Sequence, residues 1–267
     1  MTSALKTEYD EKGFAFRPGL LSEAETRVIV AELDRIIATH GEDPQRVIKE
    51  KDGITPRTVV NPHVHSEVFG RLVQHPALVN AVRDILGEDV YVFQSGVNCK
   101  AAFNGDVWFW HQDYPAYHRD DHIPLPRMVN ALIFFDEVNS MNGPLMMVPG
   151  SQTLTSDMPE NTDQGTSYSF RYTSQEVIKA QVRQRGVVAP TGPAGSVIFM
   201  NVNVLHGSAG NLSPWPRRMM TLTYNAFSNK ATQPSVRPRH IVYDDSMLPP
   251  IKAMEPDCLT SLARASA

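Results

Sequence analysis

The chain has 267 residues, 42% of them hydrophobic and 20% charged, a composition that supports one sizeable core in an ordinary globular protein. A formal net charge of −4 with both signs interspersed leaves no basic face for nucleic acid or for an anionic membrane surface, so neither partner is expected. Cys99 and Cys258 match no zinc spacing and no disulfide framework, the first residues carry no apolar leader core, and no stretch reaches the roughly 18 apolar residues of a membrane span, so a cytoplasmic setting is expected.

Ser22 stands where it can cap a helix over EAETRVIVAELDRIIATH, in which Val28, Ile29, Leu33, Ile36 and Ile37 recur at helical spacing. ALVNAVRDIL, after Pro76, predicts a second helix that stops at Gly87. Beyond it the texture changes to short apolar or alternating runs: VYVFQSGV from Val90, VNALIFFDEV from Val129, LMMVP from Leu145, SVIFMN from Ser196 and MMTLTYN from Met219. Short strands with no regular strand–helix alternation predict a mainly β fold with flanking helices, a sandwich or jelly roll rather than a doubly wound sheet. The expected division is N-terminal helices over about residues 20–87, a β core over about 88–230 and a C-terminal extension at 231–267, all in one domain. The polar stretch 157–184 reads as a mobile loop or lid.

Two His-x-Asp pairs occur, His111/Asp113 and His118/Asp120, and along a strand either would aim an imidazole and a carboxylate at one face. Context favours the first, which follows the aromatic run Trp108, Phe109 and Trp110, whereas His118 lies in HRDDH, a solvated-looking run. His118 and His122, four apart, would form a different site if they lay on a helix. A third ligand is wanted from a distant strand, and His206 ends an apolar run just before small residues. Two histidines and a carboxylate leave three coordination positions open, the arrangement with which Fe(II) oxygenases take a bidentate keto acid and dioxygen. Arg217 enters an alternating strand after Ser208, and a guanidinium fork beside a hydroxyl suits a carboxylate, although Arg217 and Arg218 also read as a surface basic pair.

QSGVN (Gln94–Asn98), GDVWFWHQDY (Gly105–Tyr114), NGPLMMVPGSQ (Asn142–Gln152), GPAGSVIFMN (Gly192–Asn201) and HGSAGNLSPWPRR (His206–Arg218) occur in an order that resembles the phytanoyl-CoA dioxygenase-like superfamily of Fe(II)/2-oxoglutarate oxygenases, over roughly residues 8–230. Within it the phrases look most like bacterial proline 4-hydroxylases and ectoine hydroxylase. The resemblance implies a double-stranded β-helix core (jelly roll, cupin-like), with Fe(II) as cofactor and 2-oxoglutarate and O2 as co-substrates. It implies His111, Asp113 and His206 on iron, Arg217 with Ser208 on the distal carboxylate of 2-oxoglutarate, and Gln94 and Asn98 at its keto-acid end. The retained carboxylate Asp113 points to hydroxylation rather than halogenation, with succinate and CO2 released.

The implied substrate is a small free amino or imino acid, proline-like, because EKDGITPRTVVNPH resembles the proline hydroxylase region before the first core strand. Arg57 in that segment becomes the candidate for the substrate carboxylate, Asp120 or Asp121 for its ammonium, and Trp110, Tyr114 and Tyr117 for the walls around its ring. Two departures argue against ectoine itself: Gly96 stands where ectoine hydroxylase carries an arginine, and YPAYHRDD differs from the ectoine-type continuation. Two alternatives stay open. One is an oxygenase that hydroxylates, desaturates or epoxidises a larger natural product or carrier-bound substrate, with 157–184 as a docking surface. The other is a jelly-roll protein that binds metal without turnover.

Overall fold

A computed structural model of the chain describes residues 3–154, 160–163, 170–242 and 249–265. Its strands are β1 (Phe14–Arg17), β2 (Val47–Lys49), β3 (Pro56–Val60), β4 (Val90–Lys100), β5 (Trp108–His111), β6 (Met128–Phe134), β7 (Met146–Met147), β8 (Glu160–Asp163), β9 (Phe170–Thr173), β10 (Val197–Asn201), β11 (His206–Ser208) and β12 (Arg217–Ala226). Its helices are α1 (Ala4–Lys12), α2 (Glu23–His40), α3 (Pro62–His65), α4 (Glu67–Leu72), α5 (Pro76–Leu86), α6 (Tyr114–Asp121), α7 (Gln175–Arg185) and α8 (Thr260–Ala265).

A seven-stranded sheet runs β1-β10-β6-β12-β4-β3-β2, every pair antiparallel, and a three-stranded sheet runs β5-β11-β7. The two faces of the large sheet do different work. Met220, Leu222 and Tyr224 of β12 turn outward into the main core, where Ile29, Leu33 and Ile36 of α2 and Leu78, Val79 and Val82 of α5 cover them. On the opposite face Leu132, Phe134, Ile198, Met200 and Met219 pack with Met147 of the small sheet, so the two sheets close on each other as a jelly roll.

α2 forms where its signals stand. Ser22 Oγ accepts from the Glu25 amide, and the Glu25 carboxylate accepts from the Ser22 amide at 2.8 Å, a reciprocal cap followed by an apolar stripe. Leu33 is completely buried in that stripe. Leu33→Ala is expected to lower unfolding free energy by about 2–5 kcal/mol, the range for a leucine deleted from a core. Urea unfolding followed by circular dichroism checks this, and a loss under about 1 kcal/mol would mean the site collapses around the gap.

The structure departs from the expected order of helices first and sheet second, because β1, β2 and β3 all precede residue 88 and join the large sheet. They are three to five residues long, too short to display an alternation. Two other runs are trimmed: β6 ends at Phe134 and β7 keeps two residues of LMMVP. Part of the loop or lid expected over 157–184 lies outside the described residues. The described part holds β8 paired with β9, then α7, capped by Ser174 and burying no residue, hence without the apolar stripe that reveals a helix.

A candidate metal and co-substrate site

The small sheet brings two distant histidines together. His111 closes β5, His206 opens β11, and the two are direct antiparallel partners with ring centroids 4.3 Å apart. That approach requires glycine at position 207, where a Cβ would stand 3.0 Å from the Trp108 carbonyl and 3.2 Å from the Trp110 amide nitrogen. Asp113 reaches the same point by a different route from the one expected. The strand ends at His111, and Asp113 is already in helical conformation as the residue before α6, its amide donating to the Val202 carbonyl at 3.0 Å.

His111 Nε2 lies 3.4 Å from Asp113 Oδ1, and His206 Nε2 lies 3.7 Å from Asp113 Oδ2. Ligand bonds of about 2.0–2.2 Å set at right angles separate donor atoms by about 3 Å, so these spacings fit a single ion. The tautomers fit as well. Nδ1–H of His111 donates to the Phe109 carbonyl at 2.7 Å, and Nδ1–H of His206 donates to the Val204 carbonyl at 2.9 Å, which makes Nε2 the unprotonated nitrogen of each neutral ring, both of them beside Asp113. Burial, with His111 alongside, pushes His206 down to about 4, so it is neutral near pH 7. Burial opposes ionisation of Asp113, but the two imidazoles and the Asn130 amide outweigh it and hold the carboxyl below its ordinary range. Among the described residues this is the one group of three or more histidine, cysteine or acidic side chains close enough to share an ion. Its donor set of two imidazoles and a carboxylate suits Fe(II).

Arg217, at the start of β12, is 1% exposed. Its Nε donates to the Gly143 carbonyl at 3.2 Å and its Nη2 to Ser208 Oγ at 3.3 Å, while its Nη1 is buried with no hydrogen-bond partner. A buried guanidinium with an idle donor, and with no ion-paired carboxylate among the described residues, has the chemistry to receive an anion. Burial lowers its pKa only to about 10, so the charge persists. Arg218 points the other way and is paired through both arms with Asp136 and with Asp34 of α2. Lys100, absent from the sequence expectation, is buried beside Arg217 with its Nζ donating to the carbonyls of Asp106, at 2.9 Å, and Ala209. Burial, with Arg217 and Arg57 nearby, pushes it down to about 6.

Gln94 and Asn98 lie on alternate positions of β4 with Gly96 between them, all half-buried, whereas their neighbours Ser95 and Val97 are fully buried. Gln94 Nε2 donates to the Tyr117 hydroxyl at 3.0 Å, and Asn98 Oδ1 accepts from Thr58 at 3.4 Å. Gly96 has no positive φ, and a Cβ there would meet only ordinary contacts, so neither the backbone nor local crowding requires glycine at this position. Trp110 is half-buried; Tyr114 is buried with its hydroxyl on the Pro124 carbonyl at 2.8 Å.

The remaining candidates are already engaged. Arg57 is 2% exposed, ion-paired with Glu50 at 2.9 Å, hydrogen-bonded to the Val107 carbonyl and laid over the Trp108 ring. The second His-x-Asp pair lies on helix α6, with His118 exposed and bonded to the Ile123 carbonyl and Asp120 paired with Arg119. HRDDH is not uniformly solvated, however. Asp121 is 1% exposed and clasped by Arg237, which also reaches Gln94 Oε1 at 3.1 Å and lies over the Tyr117 ring.

Sequence reasoning passed over Arg237, Asn130 and Thr223. Arg237 stands in the C-terminal segment with no motif to mark it. Asn130 did leave a signal: a lone amide in an otherwise apolar buried strand must have a partner.

Residues 9–219 match the phytanoyl-CoA dioxygenase (PhyH) family. Ectoine dioxygenase from Bordetella bronchiseptica is 34% identical over 249 residues, covering 87% of this chain and 79% of that protein. L-proline trans-4-hydroxylase from Streptomyces griseoviridis is 34% identical over 253 residues, covering 90% and 92%. The structure of EctD from S. alaskensis with bound Fe superposes with a TM-score of 0.83 at 27% identity, over 95% of this chain and 87% of that one. Fold, site and relatives together define a non-haem Fe(II)- and 2-oxoglutarate-dependent dioxygenase. Within that class, the chain belongs to the phytanoyl-CoA dioxygenase family. No helix among the described residues is long and apolar enough to cross a membrane.

Proposed function

We propose that this dioxygenase hydroxylates an unactivated C–H bond of a small cyclic amino or imino acid, with His111, Asp113 and His206 holding Fe(II) and Arg217 holding 2-oxoglutarate. The observation that carries the iron and co-substrate roles is the pairing of a His/Asp/His cluster with a fully buried arginine whose Nη1 has no partner. Bound there, Fe(II) with 2-oxoglutarate and O2 supplies the oxidation, which gives succinate and CO2 and puts one oxygen atom into the substrate.

The chain's own residues bind, orient and exclude water. Arg217 Nη1 and the Ser208 hydroxyl would receive the distal carboxylate, a charge-assisted contact made in a dry setting. Gln94 and Asn98 present amides on the half-buried face of β4, at the keto-acid end of the co-substrate. Trp108, Trp110 and Tyr117 keep the surroundings of the reacting bond apolar.

For the substrate, the reading rests on relatives named for two small cyclic amino acids, ectoine and L-proline. It rests also on a charged pair, Arg237 and Asp121, next to Gln94. Arg237 replaces Arg57 as the candidate for a substrate carboxylate because it reaches Gln94 Oε1, on the face of β4 proposed for the co-substrate; each arginine has an acidic partner, Asp121 and Glu50 respectively. Proline fits better than ectoine because Gly96 leaves open the space that an arginine fills in ectoine hydroxylase.

The test is a panel of free L-proline, other cyclic amino acids, ectoine and larger natural-product scaffolds, each with Fe(II) and 2-oxoglutarate, scoring succinate release together with a mass gain of one oxygen atom. Coupled turnover of L-proline or a close analogue is expected. Inert free amino acids alongside an active larger scaffold would replace this reading with the tailoring enzyme.

A further inference from the structure

Gln94, Thr223 and Asn130 stand in one row across β4, β12 and β6, since Thr223 is the direct partner of Gln94 on one side and of Asn130 on the other. The side chains of Thr223 and Asn130 join into a hydrogen-bonded line that ends on a proposed iron ligand, Asp113. Gln94 Nε2 donates to the Tyr117 hydroxyl at 3.0 Å. Thr223 Oγ1 donates to Asn130 Oδ1 at 2.7 Å, and Asn130 Nδ2 donates to Asp113 Oδ2 at 2.6 Å.

The direction of each bond follows from the last one. An ionised carboxylate only accepts, so Asn130 must turn its NH2 to Asp113 and its carbonyl oxygen to Thr223. The Thr223 hydroxyl must then donate its proton to Asn130. Thr223 and Asn130 are fully buried, so water does not compete along the line. Asn130 interrupts MVNALIF, a strand in which every other side chain is apolar. An amide left unpaired in such a setting is strongly disfavoured, so both of its hydrogen bonds matter to the fold.

We infer that Thr223 and Asn130 are positioning residues for Asp113. A carboxylate on one methylene rotates freely about its last bond. The Asn130 amide stops that rotation by engaging Oδ2, which leaves Oδ1, 3.4 Å from His111 Nε2, as the donor presented to the metal. Thr223 in turn fixes which face of the amide Asp113 meets. The inference rests on the reading of His111, Asp113 and His206 as the metal ligands.

The experiment uses the full chain with Co(II) as a spectroscopic stand-in for Fe(II) and 2-oxoglutarate present, measuring Co(II) affinity and the visible bands of the bound ion. Thr223→Val keeps the volume and loses the hydroxyl, whereas Thr223→Ser keeps the hydroxyl. The valine variant is expected to bind Co(II) about tenfold or more weakly with shifted bands, and the serine variant to restore both, as partners of metal ligands do. Asn130→Leu, close in volume and without the amide, is expected to lose affinity in the same direction, and it decides the matter if Thr223→Val does not fold. Wild-type affinity and bands in a folded Thr223→Val or Asn130→Leu protein overturn the inference, as does a serine variant that restores nothing. Failure of the underlying metal reading looks different, because His206→Ala would then bind Co(II) as the wild type does.

Discussion

Replacing His206 with alanine is expected to abolish turnover and metal binding together, at a cost of more than about 100-fold in each. Partners one shell out from a metal already account for roughly 10- to 100-fold, and His206 is proposed as one of only three side chains that touch the ion. The local structure offers no substitute. His111 and Asp113 are the neighbouring donors, both already assigned to the ion, and the next histidine along the chain from them, His118, is exposed on α6 with its ring tied to the Ile123 carbonyl. In the wild-type protein burial pushes His206 down to about 4, so near pH 7 the ring is neutral and binds a metal without first losing a proton. Bound iron by elemental analysis and succinate formation are measured on the same sample. Near-wild-type values for His206→Ala would remove it from the ligand set, and loss of iron from His118→Ala would move the site to the second His-x-Asp pair.

What the sequence made legible follows how far each signal reaches along the chain. The α2 helix carries its cap at Ser22 and its stripe within a single 18-residue run, so its extent is readable without any tertiary contact. β4 and β12, at 11 and 10 residues, are long enough to show alternation, whereas β1, β2 and β3 are not. Within the site, His111, Asp113 and His206 sit in motifs with fixed spacing and the fold brings the three together, while Arg217 is hydrogen-bonded to Ser208 two residues beyond His206. The periodicity argument for His111 and Asp113 does not describe how they meet: they share a point because the chain turns from β5 into α6, not because both lie in a strand.

Residues whose role depends on a distant partner were illegible. The Arg57 guanidinium looked available in sequence, but the fold folds Glu50 onto it, seven positions earlier in a chain that doubles back through β2 and β3. Asp121 looked solvated and is buried under Arg237, 116 positions away. Thr223 and Asn130 acquire meaning only from strand register, which no local pattern in either strand specifies.

Arginine 217 and arginine 218 separate the co-substrate reading from the bland one most sharply, because the two are adjacent and carry the same charge. Alternation sends them to opposite faces of β12. Arg218 leaves the sheet toward α2 and is ion-paired with Asp136 and Asp34. Arg217 turns inward beside Ser208 with one nitrogen idle. Arg217→Ala is therefore expected to weaken 2-oxoglutarate binding by about 2–3 kcal/mol, roughly 30- to 150-fold, the worth of a buried charge-assisted contact. Arg218→Ala should instead leave 2-oxoglutarate binding within a few-fold of wild type and lower thermal stability, since it strands Asp136 without its partner. Titration of 2-oxoglutarate into the Co(II)-loaded protein measures the first quantity and thermal unfolding the second. Equal small losses of 2-oxoglutarate affinity in both variants would remove Arg217 from the co-substrate site, because a general loss of one positive charge would then explain the result as well as a specific contact does.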